Sequence, residues 1–263
     1  MKKNFMLILI IFLISASGSS AEFPDYIDDF TGMLSSGTEN ITTYYPEIAG
    51  LTIMEGLLIW QGDEWIRTNF VDTRNRQFKS DILDVATYPA KWYGKNTKNL
   101  LMMYGGVTAG YYLYGRAAEH NKSIETSYIL LESFIFTAGI VEFWKILMGR
   151  ARPFNGLGSK KFEMLNFNEE YHSLPSGHTA MAFSLMNTIA NSTENNLIRI
   201  PAYSFAVSAG LQRVGSDVHW SSDVILGGLI GYGVSSFLYN NFYEETASDA
   251  VQPAIRFNFI IPL

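Results

Sequence analysis

The segment Leu174-Pro175-Ser176-Gly177-His178-Thr179-Ala180 lies where a polar loop meets an apolar stretch that continues to Ile189. The stretch is rich in Ala, Met and Leu, which predicts a helix that begins within this segment. Gly177 lets a backbone approach a ligand closely, and the free N–H groups of a first helical turn form an anion site. His178 would stand beside that anion. The alternative is an ordinary helix cap with a surface histidine.

A basic cluster precedes this segment in the chain, Lys145-Ile146-Leu147-Met148-Gly149-Arg150-Ala151-Arg152-Pro153. Lys145 and Arg152 are seven residues apart, which predicts nearly the same face of a helix that Pro153 ends, so both can bind one anion. Arg150 is predicted to point away from that face, toward the surface. Basic residues also favour the C-terminal end of a helix dipole, so solvated side chains are the alternative.

A third cluster follows the segment and runs from Arg213 to Asp223. His219 and Asp223 are four residues apart, so in one helical turn the carboxylate can hydrogen-bond an imidazole nitrogen. That bond would leave the other nitrogen basic and free to attack. Arg213 supplies a planar fork for phosphoryl oxygens. A lone His–Asp pair is commonly structural, which is the alternative here.

Apolar stretches whose length and Ala, Leu, Met and Gly content favour helices surround these clusters. They are 48–60, 100–114, 128–148, 179–189, 200–211 and 224–239. We therefore predict an all-α bundle of about six core helices. Two of the stretches, 99–115 and 224–243, lie free of charge and approach the length of a membrane span. The alternative is that all six are buried helices of a globular bundle.

The N-terminus has the layout of a secretory signal peptide. Lys2 and Lys3 precede an apolar run, and small residues then lead to Ala21, which predicts cleavage before Glu22. An uncleaved anchor is the alternative, but the apolar run is short for a span. The predicted organisation is a signal peptide at 1–21, a helical extension packed on the core at 22–98, a core at 99–243 and a tail at 244–263. Residues 254–263 alternate as a short strand would.

Composition excludes several classes of protein. The 263 residues are 48% hydrophobic, which argues against disorder. A formal net charge of −6 argues against a nucleic-acid partner. The chain has no cysteine, so disulfides, thiolate zinc sites and a cysteine nucleophile are excluded. The mean hydropathy of +0.06 leaves both soluble and membrane-associated proteins open.

Taken together, the three clusters read Lys-x6-Arg-Pro, Pro-Ser-Gly-His and Arg-x5-His-x3-Asp. This order and spacing resemble the signature of the type 2 phosphatidic acid phosphatase superfamily, which also contains bacterial acid phosphatases and vanadium haloperoxidases. The resemblance covers about residues 100–243 and implies a helical bundle that is in some members membrane-embedded. One position departs from it: the family usually has Ser where this chain has Gln212.

The resemblance also implies roles for individual residues. His219 would be the nucleophile that forms a phosphohistidine, Asp223 would orient it, and His178 would be the general acid. The residues implied to bind phosphate are Lys145, Arg152, Ser176, Gly177 and Arg213. No metal and no cofactor is implied. His120 and His172 stand alone in the sequence and are predicted to be surface residues.

We therefore expect a metal-independent phosphatase that hydrolyses phosphate monoesters or diphosphates. Its substrate would be a phosphorylated lipid or a small phosphate ester, with membrane association and a site that faces the periplasm. The alternatives are a soluble periplasmic acid phosphatase of broad specificity, a vanadium-dependent haloperoxidase, and a non-catalytic binding protein that retains the fold.

Overall fold

The computed structural model describes residues 54 and 56–247. In this part the chain is predominantly helical, which confirms the all-α fold class. The helices are α1 (Asp63–Phe70), α2 (Asp81–Thr87), α3 (Lys91–Gly94), α4 (Thr97–Ala117), α5 (Asn121–Met148), α6 (Gly177–Asn191), α7 (Asn196–Gly215) and α8 (Ser221–Ala247). The predicted signal peptide and the strand-like tail at 254–263 lie outside the described residues.

A short hairpin follows α1. Strands β1 (Val71–Asp72) and β2 (Gln77–Phe78) pair antiparallel, with Val71 opposite Phe78. Both of these apolar side chains are buried, and they pack with Val214 near the end of α7. The polar segment between the first two apolar stretches therefore forms α1, the hairpin and α2.

Helix α6 lies at the centre of the bundle and packs against α5, α7 and α8. Leu185 and Ala182 of α6 are fully buried, with Leu130 of α5 and Ala206 of α7 in the same cluster. Burial of a leucine side chain contributes about 1.5–3 kcal/mol, so this apolar centre is a main source of stability. The periodic apolar residues of α6 face three neighbouring helices at once, which explains why so little of this helix is exposed.

A buried asparagine ties three of these helices together. Asn187 of α6 donates from Nδ2 to the hydroxyls of Ser235 and Ser236 on α8, at 2.9 Å each. Its Oδ1 accepts from the hydroxyl of Tyr203 on α7 at 2.7 Å. Because a buried amide is costly unless its hydrogen bonds are made, these bonds fix the positions of the three helices along one another.

The candidate site residues lie at one end of the bundle. The end of α5 and the end of α7 meet the beginnings of α6 and α8 there, and the amide of Ser176 donates to the carbonyl of Asp223 at 2.8 Å. This bond joins the N-termini of α6 and α8 directly. Helix α3 reaches the same end through the carbonyl of Gly94, which accepts from Arg213.

The prediction that Pro153 ends the helix of the basic cluster was wrong. Helix α5 ends at Met148, and Gly149 takes a left-handed conformation with φ of +55° as its cap. A Cβ at this position would lie 1.6 Å from the carbonyl oxygen of Glu163, so only glycine fits. Arg150 and Arg152 consequently lie in the loop beyond the helix.

One helical segment among the described residues, Ser221–Asn240, is long and apolar enough to cross a membrane. Its likeness to a membrane span is one of length and composition alone. Half of the segment is buried inside the bundle, as the core helix of a water-soluble bundle would also be.

Candidate active site

Lys145 brings an ammonium group to the beginning of α6. Its side chain is only 13% exposed, and Nζ lies 2.6 Å from Oε1 of Glu142. A Cβ added to Gly177 would come within 3.2 Å of that same Nζ. The absence of a side chain at Gly177 therefore lets Lys145 lie against the first turn of α6.

Arg152 reaches the same place by a different route from the predicted helix face. It lies in the extended loop after α5, where Nη1 donates to the carbonyl of Val218 at 3.1 Å and Nε donates to the carbonyl of Glu169 at 2.9 Å. Its Nη1 is 3.4 Å from Nε2 of His219. The loop thus brings a guanidinium and an imidazole together.

Arg213 supplies a third positive charge from the end of α7. Its side chain is buried, its Nη1 donates to the carbonyl of Gly94, and its buried Nε has no partner among the residues that the structure describes. Burial, followed by the charge of Arg152, lowers the pKa of Arg213 to about 10. A buried cation with an unused donor is suited to bind an anion.

The first turn of α6 contributes backbone donors. Ser176 precedes the helix, and the amide of Ala180 makes the first intrahelical bond to the carbonyl of Ser176 at 3.0 Å. The amides between them have no intrahelical acceptor and carry the positive end of the helix dipole. The Ser176 hydroxyl accepts from Thr179 Oγ1 at 2.9 Å, so its own proton can be donated to a ligand.

His219 is held in one tautomer, although not by Asp223. Its Nδ1 donates to the carbonyl of Ser173 at 2.7 Å, whereas Oδ2 of Asp223 is 3.7 Å away. The expected hydrogen bond between His219 and Asp223 is therefore wrong. Helix α8 begins at Ser221, so the two residues do not share a regular helical turn. Because Nδ1 carries the proton, Nε2 keeps its lone pair beside Arg152.

Asp223 is instead the acceptor of several neighbouring donors. Its Oδ2 accepts from the amide of Trp220 at 2.8 Å and from the hydroxyl of Ser173 at 2.5 Å. Its Oδ1 accepts from Nη1 of Arg150 at 2.5 Å. Asp223 thus acts on His219 through Ser173, whose carbonyl and hydroxyl each bind one of the two residues.

The expectation that Arg150 points to the surface was wrong. Its side chain is fully buried and forms ion pairs with Asp63 and Asp223 at 2.6 and 2.5 Å. Because α5 ends before it, Arg150 turns inward rather than following the helix face. The sequence offered no periodic signal for this, since the partner Asp63 is 87 positions away.

His178 lies near Arg213 and Lys145 with one nitrogen available. Its Nε2 is buried and has no hydrogen-bond partner within the described part of the chain. Its carbonyl accepts from the hydroxyl of buried Tyr93 at 2.8 Å, and the two rings meet edge to face. Nothing in the sequence pattern singled out Tyr93, which supports this histidine from α3.

Burial lowers the pKa of both histidines well below the ordinary value of 6.5. For His178 the next contribution is the charge of Arg213, and for His219 it is the charge of Arg152. Burial also lowers the pKa of Lys145, with Glu142 acting in the opposite direction. A compact group of cations around two neutral imidazoles has the electrostatics of a site for a multiply charged anion.

Within residues 54 and 56–247, no group of three His, Asp or Glu side chains is arranged to hold a metal ion. His120 is exposed, whereas His172 is half-buried and its Nε2 lies 2.8 Å from the carbonyl of Asn166. Neither of these histidines joins the site.

Comparison with known proteins gives one family match. Residues 127–247 match the family model of the PAP2 superfamily. Among solved structures, the crystal structure of Aquifex aeolicus LpxE resembles the chain with 21% sequence identity and a TM-score of 0.45, over 62% of this chain and 88% of that one. No protein with a curated description matches.

Proposed function

We propose that this chain, whose residues 127–247 match the family model of the PAP2 superfamily, is a phosphatase of phosphate esters and that its substrates are phosphorylated lipids. We further propose that it works through a phosphohistidine and needs no metal ion. The observation that carries this proposal is the pairing of His219 with three cations. Its Nδ1 is occupied by the carbonyl of Ser173, and its Nε2 is 3.4 Å from Arg152.

In the first step, His219 Nε2 forms a bond to phosphorus while the bond from phosphorus to the leaving oxygen breaks. The bound phosphate dianion favours the protonated form of His178, which is neutral in the empty site. The electron pair of the broken bond stays on the leaving oxygen, which takes the proton from Nε2 of His178. Water then attacks phosphorus, the bond from phosphorus to Nε2 breaks with its electron pair returning to His219, and His178 accepts a proton from the water. Inorganic phosphate leaves and His219 is neutral again.

The three cations and the first turn of α6 bind the oxygens that do not react. Lys145, Arg152 and Arg213 neutralise their charge, and the amide of Gly177 with the hydroxyl of Ser176 supplies further donors. Donors fixed before the reaction stabilise the charge of the transition state without reorganising. Gln212 is occupied by the hydroxyl of Ser216, to which it donates at 2.6 Å. Its Oε1 accepts from Nη1 of Arg213 at 3.4 Å, whereas Nε of Arg213 has no partner among the described residues and stays available to phosphate.

Exposed apolar side chains on the segments that carry the site residues support a lipid substrate over a soluble one. Phe143 and Trp144 are exposed directly before Lys145, and Trp92 is exposed directly before Tyr93. The loop after α5 exposes Met164, Leu165 and Phe167. Aromatic and aliphatic side chains of this kind suit the interface of a bilayer, where the phosphate of a lipid lies.

We also propose that the protein associates with a membrane and that its site faces the periplasm. The apolar segment Ser221–Asn240 of α8 is compatible with membrane association, and the N-terminal sequence predicts export. Since α8 begins next to His219, insertion of α8 would place the site near the level of the lipid head groups. We propose that this face of the membrane is the periplasmic one.

The test is phosphate release from a panel of lipid and soluble phosphate esters, measured on membrane and soluble fractions of cells that express the full chain. We expect release from lipid phosphates in the membrane fraction, retention of activity with a metal chelator, and inhibition by vanadate, whose trigonal bipyramid mimics the transition state. His219→Ala should abolish turnover. Activity of that variant equal to wild type would contradict the mechanism.

The same experiment separates the lipid phosphatase from a soluble acid phosphatase. Release of the activity from cells by osmotic shock without detergent, together with a preference for soluble esters, would favour the soluble enzyme. The observation that favours the soluble enzyme is that half of the apolar segment in α8 is buried inside the bundle.

A further inference from the structure

Three fully buried charged side chains form a cluster beside His219, with Oδ2 of Asp223 at 3.7 Å from its Nδ1. Arg150 donates from Nη1 to Asp223 and from Nη2 to Asp63, at 2.5 and 2.6 Å. All three side chains have no exposed surface. Since an isolated charge is costly to bury, such a cluster persists only when every member is paired and hydrogen-bonded.

Asp63 satisfies these conditions and also fixes the beginning of α8. Its Oδ1 accepts from the hydroxyl of Ser221 at 2.6 Å and from the amide of Ser222 at 2.9 Å. Its Oδ2 accepts from the hydroxyl of Ser222 at 2.6 Å, and that hydroxyl in turn accepts from Arg150 at 2.7 Å. A carboxylate from α1 therefore acts as the cap of the helix that carries Asp223.

The chain of contacts continues from Asp223 to the imidazole. With Oδ1 bound to Arg150, Oδ2 is directed at the hydroxyl of Ser173, whose carbonyl accepts from His219. A shift of the carboxylate would move Ser173 and rotate the ring. The position of His219 Nε2 thus depends on contacts that begin at Asp63.

Charge gives Asp63 a second effect. Arg150 and Asp223 alone would cancel one another, and no negative charge would remain to balance an imidazolium. With Asp63 the cluster carries one net negative charge, on the side of His219 opposite the phosphate-binding cations. When His219 bonds to phosphorus its ring becomes positive, and this charge stabilises it.

We propose that Asp63 is a positioning residue for His219, acting through Arg150 and Asp223 to hold the ring and to balance its charge after phosphoryl transfer. The inference rests on the proposed role of His219 as the nucleophile. It extends the catalytic arrangement to α1, which lies outside the residues 127–247 that match the family. The alternative is that Asp63 only fastens α1 to the bundle.

The chain offers a matched control for that alternative. Asp217 also pairs with α1, because its carboxylate accepts from Nε and Nη2 of Arg67 at 2.7 and 2.9 Å. Asp217 is buried like Asp63, but its carboxylate makes no contact with Arg150 or Asp223. Asp217→Asn therefore controls for a loosened α1 and for the general loss of one negative charge in this region.

The experiment compares Asp63→Asn with Asp217→Asn on the full chain, with p-nitrophenyl phosphate as substrate. For Asp63→Asn we expect kcat to fall roughly 10- to 100-fold while KM stays within about threefold, because the phosphate-binding cations are untouched. Asp217→Asn should keep kcat within about threefold of wild type. Equal losses in the two variants would overturn the proposal.

The pH profile gives a readout that a loosened helix would not change. The charged groups around His219 are Arg152, Arg213, Lys145 and Asp223, with His178 nearby. Both variants retain all of them. Loss of the Asp63 charge disfavours the imidazolium, so the acid limb of kcat/KM should move to lower pH in Asp63→Asn alone. An unmoved acid limb would overturn the proposal.

Two further measurements keep the outcomes distinct. If Asp63→Asn does not fold, Ser222→Ala is the second variant, because it removes only the hydroxyl that bridges Asp63 and Arg150. We again expect kcat to fall while KM stays unchanged. A kcat equal to that of the wild type would overturn the proposal. The proton NMR signal of His219 Nδ1 should shift in Asp63→Asn and not in Asp217→Asn, whether or not a substrate is known. An inactive wild type would refute the proposed function, whereas an active wild type whose two Asn variants behave alike would refute only the positioning role.

Discussion

His178 has a lowered pKa and a buried Nε2 with no partner among the described residues. In its proposed role as an acid it takes up its proton when the phosphate dianion binds beside it, since a nearby negative charge favours the protonated form. A proton is needed on this nitrogen to release a poor leaving group, whereas p-nitrophenolate leaves as a stable anion. We therefore expect His178→Ala to lower kcat for an alkyl phosphate by about 10²- to 10⁴-fold and to lower kcat for p-nitrophenyl phosphate much less.

The measurement is kcat for both substrates in parallel, with His172→Ala as the matched control. His172 binds the backbone of Asn166 through its ring and lies outside the site, so both kcat values should stay close to wild type. An equal loss on the two substrates in His178→Ala would show that His178 does not protonate the leaving group.

The sequence pointed to the residues that surround the phosphate site and gave no indication of those that support them. Lys145, Arg152 and His219 belong to spaced motifs, and the folded chain brings them together although the helix expected to join the first two ends early. Arg150 and Asp63 pair across 87 positions, and a contact of that kind depends on the tertiary packing of α1. No local pattern encodes it.

Helices α6 and α8 approach closely at glycines of α8. A Cβ at Gly231 would lie 1.9 Å from the carbonyl oxygen of Ala180, so the backbones would have to separate. We expect Gly231→Ala to lower the free energy of unfolding by about 1–3 kcal/mol or more, measured by denaturant titration. Gly233 faces open space on the same helix, and Gly233→Ala should be neutral or stabilising by up to ~1 kcal/mol.

Comparable losses in the two alanine variants would mean that helix propensity, and not close packing, governs this interface.

The helices themselves were predictable, because apolar residues recur along α4 to α8 over lengths that strands do not reach. The end of α5 was not, since it depends on the left-handed conformation of Gly149 and the close approach of Glu163. Sequence periodicity carries no information on such a contact.

The whole chain is acidic, with a formal net charge of −6, yet Lys145, Arg152 and Arg213 place positive charge at one end of the bundle. Burial and these cations keep His178 and His219 neutral in the folded protein. In the unfolded chain both histidines return to a pKa near 6.5. Folding therefore excludes protons that the unfolded chain binds, which links stability to pH.

The direction of this linkage follows from the lowered pKa values of the two histidines. Below about pH 6.5 the unfolded chain is the more protonated state, so the free energy of unfolding should fall as pH falls from about 6.5 toward the folded pKa values. As the product of the proposed reaction, inorganic phosphate is expected to bind the folded site alone, which should add about 2.7 kcal/mol to the free energy of unfolding at 100 times its Kd. Thermal melting at neutral and mildly acidic pH, with and without phosphate, measures both effects.

Carboxylates with a lowered pKa, such as Asp72 and Glu163, affect stability in a lower pH range than the histidines do. Their contribution is lost only when they lose their charge at more acidic pH. The histidine contribution is isolated by His178→Gln, which removes one buried imidazole and should flatten the loss of stability between neutral and mildly acidic pH. His172→Gln, whose imidazole lies outside the cation cluster, should leave the slope as in wild type. If the slope is the same in all three proteins, the buried histidines of the site do not carry the linkage, and the acid sensitivity arises elsewhere in the fold.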